Sequence, residues 1–210
     1  MRSCYSFVMN TEQTFISIKN EAIQRSLIGT IIKRFENVGL KLVGIKMIVP
    51  DEKNLSKQYP NEDWWYKNVG EKTKKSRLLR MSKDDRSPIE IGKWVRGMIM
   101  EDLVGKPQVA MVWEGANAVA IAMKLIGKTN PLDSDVGTIR ADYTIDSYEV
   151  ADKFKHPVRT LVHRSGSVEE AKEEIGIWFS KKEIKNYPLV LEEVFYKAGW
   201  GKVANLEIGG

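Results

Sequence analysis

Hydrophobic positions along the chain switch between two periods, and each switch marks an element. Thr14-Phe-Ile-Ser-Ile18 reads as a short strand. It leads into Ile23, Leu27, Ile28, Ile31, Ile32, Phe35 and Val38, whose spacing keeps one apolar face on a helix that Gly39 closes. Val43, Ile45, Met47 and Val49 alternate with more polar neighbours, which predicts a second strand from Leu40 to Val49, ended by Pro50. A short polar helix is expected over Asp51 to Tyr59. Gln108-Val-Ala-Met-Val-Trp113 is an apolar strand, and Gly115 to Ile126 reads as a helix closed by Gly127. Ser167-Val-Glu-Glu170 has capping-box spacing and opens a helix that Gly176 ends; Ser180-Lys-Lys-Glu183 repeats that spacing for a further helix.

The order is β-α-β, insertion, β-α, long loop, β-α-α. It fits an α+β fold, a ferredoxin-like sandwich in which a four-stranded antiparallel sheet is covered by helices on one face. Two stretches resist the pattern. Pro60 to Lys93 mixes Trp64, Trp65 and Tyr66 with many basic residues, and Thr129 to Thr160 is loop-rich, with Pro131, Gly137 and Pro157. Spans of that length in a compact domain are functional or appended.

Composition narrows the class. With 210 residues, 42% of them hydrophobic and 29% charged, the chain has the make-up of a globular protein that buries its own core. The single Cys4 has no partner for an intramolecular disulfide, so a reducing, cytoplasmic setting is expected. No apolar run approaches the ~20 residues that span a bilayer. Tyr5-Ser-Phe-Val-Met9 is too short for the core of a secretory signal, so neither membrane association nor export is expected. The net charge of +5 suggests an anionic partner, but it is local. Between Lys67 and Lys93 nine Lys or Arg face four acids, and the rest of the chain is balanced.

Only two histidines are present. His156 precedes Pro157 in a polar stretch and reads as a loop residue. His163 ends the apolar strand Thr160-Leu-Val-His163 and is followed at once by Arg164-Ser-Gly-Ser167 and a capped helix, which holds the imidazole at the mouth of a loop-lined cleft. The string from His163 to Phe179, His-Arg-Ser-Gly-Ser followed by a helix ending Glu-Ile-Gly-Ile-Trp-Phe, resembles the active-site signature of nucleoside diphosphate kinases. Other segments match in order: Thr14-Phe-Ile-Ser-Ile-Lys19, Gln24-Arg25, Ile31-Ile-Lys-Arg-Phe-Glu36, Ala110-Met-Val-Trp-Glu-Gly115, Thr129-Asn-Pro131 and Gly137-Thr-Ile-Arg140. The resemblance covers about residues 12–59 and 94–196.

It implies a single domain over residues 1–210, with a basic insertion at about 60–93, an extended loop at about 141–159 and a tail at 197–210. It further implies ping-pong transfer of a γ-phosphoryl group through a phosphohistidine on His163. Glu174 would accept the other ring N–H and fix the tautomer, supported by Ser165. Lys19 would contact the transferring phosphoryl, Tyr59 would line the histidine pocket, and Thr129 and Arg140 would bind phosphates. Trp94 would stack on the base, with Met98 lining its site. Mg²⁺ would arrive on the nucleotide's phosphates, with no metal held by the protein alone. Nucleoside di- and triphosphates, ATP among them, are the implied partners, with a homo-oligomer, a hexamer or a tetramer of dimers, as the implied assembly.

Several positions depart from the pattern. Met123 stands where the resemblance leads to a phosphate-binding arginine, Thr160 where it leads to an asparagine, Gly166 where it leads to an aspartate, and Asn20-Glu21 where it leads to Pro-Asp. Weakened phosphate binding, with the nucleophile intact, predicts an active but slower enzyme. The alternative is a nucleotide-binding pseudoenzyme that works through a protein or nucleic-acid partner by way of the basic insertion; nucleic acid is possible but not required.

Overall fold

The computed structural model describes residues 11–79 and 84–196. Cys4, Arg80 and Lys83 of the basic segment, and the tail 197–210 lie outside the described residues. Strand β1 (Thr11–Ile18) is followed by α1 (Asn20–Gln24), α2 (Ile28–Glu36), β2 (Lys41–Ile48), α3 (Glu52–Gln58), α4 (Asp63–Leu78) and α5 (Pro88–Leu103). Then come β3 (Gln108–Ala116), α6 (Ala118–Ile126), α7 (Ile139–Tyr143), α8 (Tyr148–Phe154), β4 (Val162–Arg164), α9 (Val168–Trp178) and α10 (Val190–Tyr196). The strands form one antiparallel sheet in the order β2-β3-β1-β4, the α+β arrangement the sequence predicts.

One expectation is corrected: helices cover both faces of this sheet. Val109, Met111 and Trp113 of β3 join Ile16 and Ile18 of β1, Phe35 of α2 and Ala122 of α6 in one core. Ala110 and Val112 point the other way and pack with Phe15, Leu55 of α3, Leu103 of α5 and Trp178 of α9. A strand buried on both faces needs an apolar residue at every position, which is why 109–113 is an unbroken apolar run. β2, at the sheet edge, departs from the expected alternation: of its alternating apolar set Val43 is buried, but Ile45 and Met47 are exposed beyond a register shift between Leu42 and Gly44.

Other boundaries move for local reasons. The helix expected over Ile23 to Val38 is two, broken at Ser26, whose φ of 56° lies in the left-handed region. Ala22 of α1 and Ile31 and Phe35 of α2 still reach the same core, so the apolar spacing survives the break. Gly115 belongs to β3, paired with Glu12, and α6 starts only after Asn117 turns the chain at φ 54°. The first turn of α6 is satisfied from outside, by the Glu12 carboxylate accepting the Val119 N–H at 3.0 Å. Gly176 does not end α9, which runs on to Trp178. Ser180 to Glu183 is a turn: the Glu183 carboxylate accepts both the Ser180 N–H and its hydroxyl, at 2.7 and 2.8 Å, and binds Lys46 Nζ at 2.6 Å.

Pro60 to Lys93 contains most of a helical hairpin. Gly70 and Gly92 let α4 and α5 touch backbone to backbone: a Cβ on Gly70 would lie 1.8 Å from the Pro88 carbonyl oxygen, and one on Gly92 2.1 Å from that of Tyr66. Ser87 and Glu90 cap α5 reciprocally, with Pro88 in its first turn. Asp84, in the connection between the helices, binds Arg77 of α4 at 2.5 Å and Arg86, just before α5, at 2.7 Å. Arg77 also holds Asp152 of α8 at 2.8 Å, so the two stretches that resist the sequence pattern pack against each other.

Candidate active site

Strand β4 pairs with β1 through only three residues, Ser17 opposite His163 among them. Opposite residues of an antiparallel pair share a face, so His163 projects on the side of Phe15 and Ser17, and its ring centroid lies 6.0 Å from that of Phe15. α9 approaches on that side. Its residues Ala171, Glu174 and Trp178 form one inward stripe, with an acid in an apolar position and only 3% exposed.

Three donors converge on that acid. His163 Nε2 lies 2.6 Å from Glu174 Oε1, the Gln58 amide N–H donates to the same oxygen at 2.8 Å, and the Ser165 hydroxyl donates to Oε2 at 2.5 Å. The Gln58 carbonyl in turn accepts the Trp178 indole N–H at 3.0 Å, which sets the amide's orientation and explains why α9 has to extend past Gly176. A carboxylate at Nε2 makes that nitrogen the N–H of the ring and leaves the lone pair on Nδ1. Burial pushes the Glu174 carboxyl up, but the charge and hydrogen bonds of His163, with Ser165 and Gln58, outweigh it and hold the group below the usual carboxylate range. Tyr59 places its hydroxyl 3.3 Å from Nδ1. Burial first, and the Glu174 charge second, push the phenol up, so it stays protonated and able to donate to that lone pair.

Cations gather beside this centre. The Lys19 N–H donates to the Leu161 carbonyl at 2.9 Å, which puts Lys19 next to the strand that carries His163. Its ammonium is 4.0 Å from Asp102 of α5. Arg140 is buried and donates to the carbonyls of Gly127, Thr160 and Val162 at 3.0, 3.1 and 2.8 Å. Burial, with the charge of Arg164 nearby, lowers it to about 10. Between those carbonyls Leu161 takes φ 63°, a costly value for a leucine. Glu21 helps to hold it there by accepting the Leu161 N–H at 3.0 Å.

His163, Glu174, Ser165 and Tyr59 are thus brought into direct contact, with Lys19 and Arg140 tied to the backbone just before the histidine. Thr160 is buried there, its carbonyl taken by Arg140, while Thr129 is exposed after the turn at Gly127. Trp94 lies on α5 with Arg77 and Arg86 guanidinium carbons 5.0 and 4.8 Å from its ring centroid. Met98 follows one turn later on the same face. Met123 is 40% exposed on α6. Sequence reasoning misses Gln58, Glu21 and Asp102. The first two look like solvated helix residues; Asp102 had a signal, four residues after Met98 on one helix face.

Among the described residues no three His, Cys, Asp or Glu side chains gather as a metal-holding group, and no helix is long and apolar enough to cross a membrane. The sequence model described as nucleoside diphosphate kinase matches residues 12–83 and 92–184, so it extends further into the basic segment than the resemblance does and leaves 84–91 between its two stretches. The nucleoside diphosphate kinase of Pyrobaculum aerophilum is 36% identical over 182 residues, covering 84% of this chain and 99% of that protein. Human nucleoside diphosphate kinase A is 36% identical over 188 residues, covering 90% and 99%. The crystal structure of the P. aerophilum NDP kinase superposes with a TM-score of 0.78 over 84% of this chain and all of that one, at 35% identity. A transition-state mimic of the Borrelia burgdorferi enzyme with bound vanadate and ADP superposes at 0.71, with 28% identity, over 88% of this chain and 96% of that one. Relatives that match nearly their whole length to this chain are nucleoside diphosphate kinases, which makes the chain a phosphotransferase of nucleotides. The chain belongs to the nucleoside diphosphate kinase family.

Proposed function

We propose that the chain moves the γ-phosphoryl of a nucleoside triphosphate such as ATP onto a nucleoside diphosphate by a ping-pong route through a phosphohistidine on His163. The observation that carries this reading is the 2.6 Å contact between His163 Nε2 and Glu174, which reserves Nδ1 as the nucleophile. The Nδ1 electron pair attacks the γ-phosphorus, the bond to the β–γ bridging oxygen breaks, and a nucleoside diphosphate departs. In the second half, a terminal phosphate oxygen of another nucleoside diphosphate attacks the phosphorus and the P–N electrons return to Nδ1. Positive charge that develops on the ring in each transfer meets the Glu174 carboxylate, which Ser165 and Gln58 keep in place.

Lys19 would contact the phosphoryl in flight, and Thr129, Thr160 and the remaining donors of Arg140 the rest of the phosphate chain. Trp94, Met98 and Asp102 follow at intervals of four on α5, so they share a face, and Trp94 and Asp102 lie ~12 Å apart along the axis. With Asp102 beside Lys19, that span supports a base stacked on Trp94 and lined by Met98 while its phosphates reach the lysine. Mg²⁺ would enter on the phosphates and neutralise their charge. The B. burgdorferi relative, solved as a transition-state mimic with vanadate and ADP, supports phosphoryl transfer from nucleotides as the reaction. The proposal extends to a cytoplasmic homo-oligomer, a hexamer or tetramer of dimers, of single-domain chains carrying the basic insertion and the extended loop.

No contact in the site favours a pseudoenzyme, since the nucleophile and its orienting acid are joined. The test is labelling with γ-labelled ATP. An acid-labile, base-stable phosphoprotein that discharges onto any nucleoside diphosphate is expected, and His163→Asn abolishes it. Equal labelling of wild type and variant rejects the mechanism.

A further inference from the structure

Asp102 sits in the last turn of α5 with its side chain 5% exposed, and three cations share its carboxylate. Lys19 Nζ lies 4.0 Å from Oδ2, while Arg159 Nη1 and Lys106 Nζ lie 3.1 and 3.9 Å from Oδ1. One carboxylate neutralises one cation, so the cluster keeps an excess of positive charge. The Lys19 side chain is 14% exposed, and its ammonium makes no hydrogen bond among the described residues. Donors left open on a cation at a cleft edge can be completed by an anionic ligand.

Arg159 is anchored on both its backbone and its side chain. Its N–H donates to Asp146 Oδ2 at 2.6 Å, Asp146 being 6% exposed, and its Nη1 donates to Asp102. The other guanidinium N–H groups have no partner among the described residues, and the side chain is 42% exposed. So one edge of the fork is fixed and the other faces outward. Arg159 also lies next to Thr160 and Leu161, whose carbonyl holds the Lys19 backbone, so the two cations are tied to one carboxylate and to one short stretch of chain leading to His163.

We infer that Arg159 is a phosphate-binding residue of the nucleotide site, working beside Lys19, and that Asp102 fixes its guanidinium there. A planar fork with one edge held and one edge open is suited to bidentate contact with phosphate oxygens. The inference rests on the proposed nucleotide site at His163.

The test compares ADP with adenosine by titration calorimetry on the full chain, for wild type, Arg159→Ala and Arg159→Lys. Loss of one charge-assisted contact predicts ADP binding about 10- to 100-fold weaker in Arg159→Ala, with adenosine affinity unchanged and partial recovery in Arg159→Lys. Equal weakening of ADP and adenosine marks Arg159 as a loop anchor only and overturns the inference, as does unchanged ADP affinity. Phosphorylation of His163 in the wild type, measured alongside, reports on the site itself: if it occurs and the variants leave ADP binding unchanged, the Arg159 assignment alone fails.

Discussion

Replacing Glu174 by glutamine removes a charge and little else. The amide oxygen can still accept from His163 Nε2 and Gln58, which lie 2.6 and 2.8 Å from Oε1. The amide nitrogen then faces Ser165, whose hydroxyl can turn to the Phe15 carbonyl 3.4 Å away. The tautomer therefore survives, and what is lost is the difference between a charge-assisted and a neutral hydrogen bond to a ring that, in the proposed transfer, becomes positive in the transition state. That difference is about 1–2 kcal/mol, or a factor of about 5–30 in the rate of phosphohistidine formation.

Glu174→Ala is a different perturbation. It strands three donors, Ser165 buried and His163 and Gln58 partly so, and removing one member of such a group costs up to about 3–5 kcal/mol of stability. For a chain of this size that lowers Tm by about 6–20 °C, so a slow reaction would report on folding as much as on chemistry. The glutamine variant is the diagnostic one. Rapid-quench mixing with γ-labelled ATP gives the rate, and a thermal melt run beside it should move by no more than a few degrees. A Glu174→Gln protein that labels at the wild-type rate would show that the carboxylate does not act on the ring charge.

Three further outcomes are expected. Gly92→Ala pushes a methyl into the Tyr66 carbonyl, 2.1 Å away, so the α4–α5 contact has to open, at a cost of about 1–3 kcal/mol seen as faster amide exchange across both helices. Asp84→Asn weakens the pairs with Arg77 and Arg86 and lowers Tm at neutral pH. Those guanidinium groups hold the Asp84 carboxyl well below its ordinary value, so its stabilisation is present above about pH 4 and fades as pH falls further; the Tm gap between wild type and variant should close on acidification and stay constant from pH 5 to 8. Trp94→Ala should raise KM for nucleotides by about 5- to 100-fold with a smaller change in kcat, as expected for lost base stacking; an unchanged KM would leave Trp94 as packing between two arginines.

What the sequence made legible follows from where its physics is local. The apolar run at 109–113 and the alternation over 43–49 are local strand signals, and both elements lie where the pattern puts them. The histidine string is legible because His163, Ser165, the helix cap and Glu174 all fall within one short segment. The illegible parts depend on partners distant in the chain. Gln58 reads as a solvated residue until Trp178, 120 positions later, takes its carbonyl and turns its amide toward Glu174. The end of α9 is set by the same contact, which is why a glycine that would cap an isolated helix does not end this one. Gly70 and Gly92 look like weak points in a charged stretch, and their purpose emerges only when the two helices cross at them. The net charge behaves likewise. Part of the basic segment's excess is met from outside it, where Arg77 pairs with Asp152 of α8, so counting charges over 67–93 overstates what the hairpin offers an external anion. The cations proposed to meet nucleotide phosphates, Lys19 and Arg159, lie in stretches that are neutral by count and become a cationic cluster only because the fold gathers them on Asp102.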